Sequence, residues 1–171
     1  MPGEAVVRLS IHGSSATVNH PVGSLENSVK EIIHDSRGTI IKQMGGGNHF
    51  YNGMLIDFPL LLSGTNMEFD FDHRPRAIGI ILQFKATEGT WIEWVHLHNG
   101  QDIVQNFAFG SKYVGKGTAL DQSPIITIWQ NFQQTSIQRG VVAFFPIGFP
   151  EGRVGEVCLI NASLLLTPLG T

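Results

Sequence analysis

The chain has 171 residues, 42% hydrophobic and only 15% charged, with a formal charge of −3. That length supports one sizeable core, and the charged fraction lies well below the roughly 25% usual in soluble domains. Eleven Lys and Arg scattered along the chain exclude the clustered basic footprint that nucleic acid demands, and no apolar run approaches the roughly 20 residues of a membrane-spanning helix.

Period-two alternation recurs from the start. Ala5, Val7, Leu9 and Ile11 share one face, with Arg8, Ser10 and His12 opposite. Ser24 to His34 reads as a helix capped by Ser24, or as a strand from Val29 to His34. The longest apolar run, Met54 to Leu62, is interrupted by Asp57. Met67, Phe69 and Phe71 then alternate with Glu68, Asp70 and Asp72. Ile78, Ile80, Leu82 and Phe84 form an inward row, with Gln83 and Lys85 outside. Ile125 to Trp129 and Ile137 to Phe145 are apolar on both sides, and neither has an assignable face. Cys158, Ile160, Ala162, Leu164 and Leu166 make the last apolar row. Turn clusters such as His12-Gly-Ser-Ser15, Gly45-Gly-Gly-Asn48 and Gly148-Phe-Pro-Glu-Gly152 separate these segments. Eight to eleven short strands with almost no helix predict an all-β fold, an antiparallel β-sandwich of jelly-roll type, in one domain spanning residues 1–171. A closed β-barrel is the alternative, since alternation alone does not separate the two.

The segment Trp91 to Phe109 carries the most information. Taking Asn99-Gly100 as a two-residue hairpin turn pairs His98 with Gln101, His96 with Ile103 and Trp94 with Gln105. Ile92, Trp94, His96 and His98 then share a face with Gln101, Ile103, Gln105 and Phe107. If that face looks inward, the histidines line an open end of the sandwich, where such folds hold ligands. The plain alternative is a polar rim beside a turn.

Other constellations are thinner. In Asn48-His-Phe-Tyr51, His49 and Tyr51 fall on one strand face and could orient a carbonyl or move a proton. Glu68, Asp70 and Asp72 are spaced about 7 Å apart along a strand, too far for one cation to take all three, so they read as a solvated acidic face. Gly-x-Ser-x-Gly does not occur, and Gly110-Ser-Lys-Tyr-Val-Gly-Lys-Gly117 lacks phosphate-loop spacing. The single cysteine, Cys158, excludes an intrachain disulfide and reads as a small buried hydrophobe. With no charged and apolar leader in Met1 to Arg8, a cytoplasmic location is expected.

Two resemblances add to this reading. His96-x-His98 is similar to the His-x-His pair of cupin-type jelly rolls, which also need a nearby carboxylate and a later histidine. Asn99-Gly-Gln101 follows instead, and no histidine occurs after His98, so no metal and no cofactor are expected. The motif order Ile11-His-Gly13, Gly38-Thr39, Asn48-His-Phe-Tyr51, Ile56-Asp-Phe-Pro59, Ile78 to Phe84 and Val95-His-Leu-His-Asn-Gly100 resembles a family of uncharacterised single-domain β-sandwich proteins. His49, Tyr51 and Asn99 depart from its usual aromatic, histidine and aspartate. That resemblance implies the fold and no activity.

The expectation is a non-enzymatic module that binds a small molecule or glycan. Its candidate ligand-binding residues are His49, Tyr51, Trp94, His96, His98, Gln101 and Gln105. A homo-oligomer would account for the low surface charge. The rival is a small β-barrel isomerase or cyclase, or a metal-dependent enzyme, acting on a hydrophobic metabolite. In it His49, Tyr51, His96 and His98 would converge in an aromatic pocket with Trp94 and Phe107.

Overall fold

The computed structural model describes residues 6–19, 29–45, 52–58, 76–99, 102–110, 112–136 and 141–167. Its strands are β1 (Val7–His12), β2 (Thr17–Asn19), β3 (Val29–Asp35), β4 (Gly38–Met44), β5 (Asn52–Phe58) and β6 (Arg76–Ala86). They continue with β7 (Trp91–Ile92), β8 (Trp94–Asn99), β9 (Asp102–Ala108), β10 (Ile126–Ser136), β11 (Val141–Gly148) and β12 (Val154–Thr167). Twelve strands among the described residues exceed the eight to eleven expected: the Trp91 segment is split at Glu93, and the short β2 follows the 3₁₀ turn at Gly13–Ser15. Of the two readings of Ser24 to His34, the strand forms: β3 pairs with β4, and Asp35 faces Gly38 across a two-residue turn. Residues 24–28 and the Met67 to Asp72 row lie outside the described residues.

One sheet runs β10-β6-β12-β4-β3, with β1 also on β12; the other runs β2-β5-β11-β8-β9, with β7 also on β11. Every ladder between named strands is antiparallel. Each sheet ends in strands with a single neighbour, so the molecule is a two-sheet β-sandwich of jelly-roll type and not a closed barrel. The inward rows of both sheets meet in one core, with Ile80, Leu82, Phe84 and Leu164 from the first and Met54, Ile56, Phe58, Phe145 and Leu97 from the second. Of the Ile137 to Phe145 run, left without a face by sequence alone, residues 137–140 lie outside the described residues and the rest resolves in β11. Val141, Ala143, Phe145 and Ile147 are buried in the core, while Val142 and Phe144 are half-buried on the other side.

Bulges let strands bury residues that simple alternation would separate. In β12, Val157 and Leu159 face the core, and so do Ala162, Leu164 and Leu166, which have the opposite parity. The register against β6 slips between Leu159 and Asn161 to allow it. The apolar row read from Cys158 to Leu166 is therefore cut in two. Cys158 and Ile160 turn outward and join a separate small cluster with Ile40 and Leu120. Two glycines crowd this region, because a Cβ on either Gly13 or Gly38 would stand 1.8 Å from the Leu159 carbonyl oxygen.

Candidate ligand-binding face

β8 lies between β11 and β9, and its parity decides what the second sheet displays. Val95 and Leu97 are fully buried in the core, so Trp94, His96 and His98 point to the far side of the sheet. There they form a row of rings. Trp94 stacks on His96 with centroids 5.8 Å apart and planes 29° off parallel, and His98 follows at 6.2 Å from His96. From β11, Phe144 stands opposite His96 in register, its ring 6.3 Å away. Phe144 lies flat over Gly53 of β5, where a Cβ would come 2.0 Å from Phe144 Cε2. Glycine is required at that position to seat the ring against the sheet.

Asn106 of β9 faces His96 from the other side and hydrogen-bonds its imidazole. Burial holds the His96 pKa below the ordinary imidazole value; His98 adds a smaller lowering, and the Asn106 bond opposes both. Above the unfolded-state value of about 6.5, His96 is neutral in both states. As pH falls through that value, the unfolded chain takes up a proton that the folded chain refuses until its own lower pKa is reached, so stability declines across that window. Urea midpoints measured from pH 7.5 to 5 should fall toward acid, and His96→Gln should flatten part of that slope. An unchanged slope would show that His96 is not depressed.

The hairpin register differs from the one read from Asn99-Gly100. The last described pair is Asn99 with Asp102, leaving residues 100 and 101 as the link, and the register then slips once between His98–Ile103 and Leu97–Gln105. Val104 and Phe107 have opposite parity, yet both pack against the core, and the bulge permits it. The consequence is specific. Gln105 leaves the Trp94–His96–His98 face, pairs with Leu97, and its Nε2 donates to the Gln133 carbonyl at 3.5 Å. Phe107 stacks on Phe132 of β10, with centroids at 5.8 Å, closing the edges of the two sheets. Ile92 is also lost from the face, because the break at Glu93 turns it into the core beside Ile147.

Trp94, His96 and His98 are therefore brought together, Gln105 is placed elsewhere, and His49, Tyr51 and Gln101 lie outside the described residues. Phe144 and Asn106 were missed. Alternation through Val141, Ala143, Phe145 and Ile147 was the signal for Phe144. Asn106 needed the bulge to be known. Glu93 was missed too: its Oε2 is shielded from solvent with no hydrogen-bond partner among the described residues, next to Trp94 in the chain. The same residues contain no group of three or more His, Cys, Asp or Glu placed to hold a metal ion.

No family model matches the sequence, and no curated protein matches it significantly. Solved structures do. The chain is similar to a xylan-binding module, CBM15, with a TM-score of 0.53 and 11% identity over 98% of this chain and 100% of that one. A CBM4 structure aligns at a TM-score of 0.48 and 8% identity, covering 91% of this chain and 92% of that one. A family 11 carbohydrate-binding module from Clostridium thermocellum, in complex with a β-1,3-1,4-mixed-linked tetrasaccharide, aligns at 0.41 and 12% identity over 93% and 87%. At such identities the likeness is one of fold. The chain has the two-sheet antiparallel jelly roll seen in the xylan-binding module.

Proposed function

We propose that the protein is a non-enzymatic carbohydrate-binding module whose ligand lies along the outer face of β8 and β11. The observation that carries this is the row Trp94–His96–His98 with Phe144 beside it. A pyranose presents an apolar C–H face and a rim of hydroxyls, and it is matched by a flat ring flanked by donors and acceptors. The row supplies both, with Trp94 and Phe144 as platforms and the two imidazoles and Asn106 as polar partners. Trp94 to His98 spans four residue steps of strand, about 13 Å, which suits an extended chain more than a single ring. The jelly-roll likeness to a xylan-binding module supports the same reading at the level of fold. The rival enzyme loses its setting, because a barrel interior is not formed and Phe107 and Trp94 lie on opposite faces of the sheet.

Titration with soluble xylo-, cello- and mixed-linkage oligosaccharides, followed by indole fluorescence and saturation-transfer NMR, should give saturable binding to at least one. A blank oligosaccharide panel together with a blank glycan array would overturn the proposal.

A further inference from the structure

The opposite side of the sandwich carries a second, chemically different cleft, which the carbohydrate reading does not use. On the outer face of the first sheet, Ile40 of β4 and Lys85 of β6 flank Cys158 of β12 in register. Their chain neighbours Ile41, Phe84, Val157 and Leu159 fill the core, so this is sheet surface. It is nonetheless sheltered. The 3₁₀ turn Leu120–Gln122 lays Leu120 against Ile40 and Cys158. The Ser36–Arg37 turn closes another side, with the Arg37 carbonyl 3.5 Å from Cys158 Sγ. Between them is a cavity of about 310 Å³, at the small end of the range for ligand sites. Ile40, Leu120, Cys158 and Ile160 give it an apolar floor, Arg37, Lys85 and Asp121 put charge around it, and Ile125 is 55% exposed.

The rim decides the ligand's charge. Arg37 is already neutralised by Asp35, with Nη2 at 2.6 Å and Nε at 2.9 Å from Oδ2, and the lining carboxylate Asp121 acts on that same guanidinium. Lys85 has no such partner among the described residues, whose ion pairs join Asp35 to Arg37, Glu31 and Glu156 to Lys42, and Glu88 to Arg153. We infer that this cleft binds a small amphipathic carboxylate, its apolar body on Ile40, Cys158, Ile160 and Leu120 and its carboxylate on Lys85. Uncharged or cationic molecules of the same size lack that ion pair. One ring or a medium-length chain fits the volume, and the carboxylate could belong to an aliphatic or an aromatic acid.

Cys158, the only cysteine in the chain, reports on the floor. Its burial pushes the thiol pKa up, with Arg37 pulling weakly the other way, so modification is slow and ligand-sensitive. Methyl methanethiosulfonate should modify Cys158 at least fivefold more slowly with octanoate or phenylacetate present; whichever acid protects more identifies the preferred body. Lys85→Glu should weaken octanoate at least tenfold by NMR titration while leaving 1-octanol within twofold. Ile125→Glu, at an exposed position that the fold tolerates, should weaken octanoate likewise. Trp94→Ala should leave octanoate binding unchanged, which separates this site from the carbohydrate face. Failure of both acids to protect the thiol overturns the inference. So does a folded Lys85→Glu protein that binds octanoate as wild type does.

Discussion

Replacing Trp94 with alanine is expected to weaken oligosaccharide binding by about 30-fold, the effect of roughly 2 kcal/mol lost when a central aromatic anchor is truncated. Trp94 ends the ring row and stacks on His96 at 5.8 Å, so the substitution removes a platform and also frees its neighbour. Trp94→Phe keeps a flat apolar ring and should lose only a few-fold. The substitution opens no hole in the main core, because Val95 and Leu97 face it and Trp94 does not. Its thermal midpoint should therefore move by only a few degrees. Isothermal titration with the best oligosaccharide of the panel, alongside a melt, checks both halves. Unchanged affinity in a folded Trp94→Ala protein would remove the ligand from this face.

Gly38→Ala should destabilise the protein by about 3 kcal/mol or more, from strained backbone and overpacking together. Gly38 has φ +138°, which side-chain-bearing residues rarely adopt, and an added Cβ would sit 1.8 Å from the Leu159 carbonyl oxygen. That oxygen is backbone in the middle of β12 and has no side-chain rotamer through which to yield. At about 2–4 °C per kcal/mol for a chain of this size, the midpoint should fall by roughly 6–12 °C. Gly110→Ala is the control: its φ is +55° but nothing lies within 4 Å, so it should cost only about 1–2 kcal/mol. Equal losses in the two variants would show that the crowding at Leu159 is readily relieved.

Much of this architecture was legible because burial on a strand has a period of two. Ile80, Leu82 and Phe84 announce one inward face without help from the rest of the chain, and all three are in the core. What misled the reading was a single missing or extra residue. Residues 100 and 101 link β8 to β9 where Asn99-Gly100 was expected to, and Val104 is an extra residue in β9. Each change is invisible in local composition; the first shifts partners by two and keeps the faces, and the extra residue alone moves Gln105 and Phe107 to the other face. The same happened at Ile160, where a slip in β12 turned Cys158 out of the core and into the floor of a cleft.

The residues of β8 by themselves determined that Trp94, His96 and His98 share one side, since their spacing on a strand permits nothing else. Which side that is, and what joins them there, only the tertiary structure decided. Val95 and Leu97 are the more apolar set, and packing them against the opposite sheet drove the rings outward. Pairing with β11 and β9 then brought Phe144 and Asn106 to His96 from positions 48 and 10 residues further along the chain. Local periodicity carries no information about such long-range partners, because register across a sheet is chosen by the core that the two strands bury together.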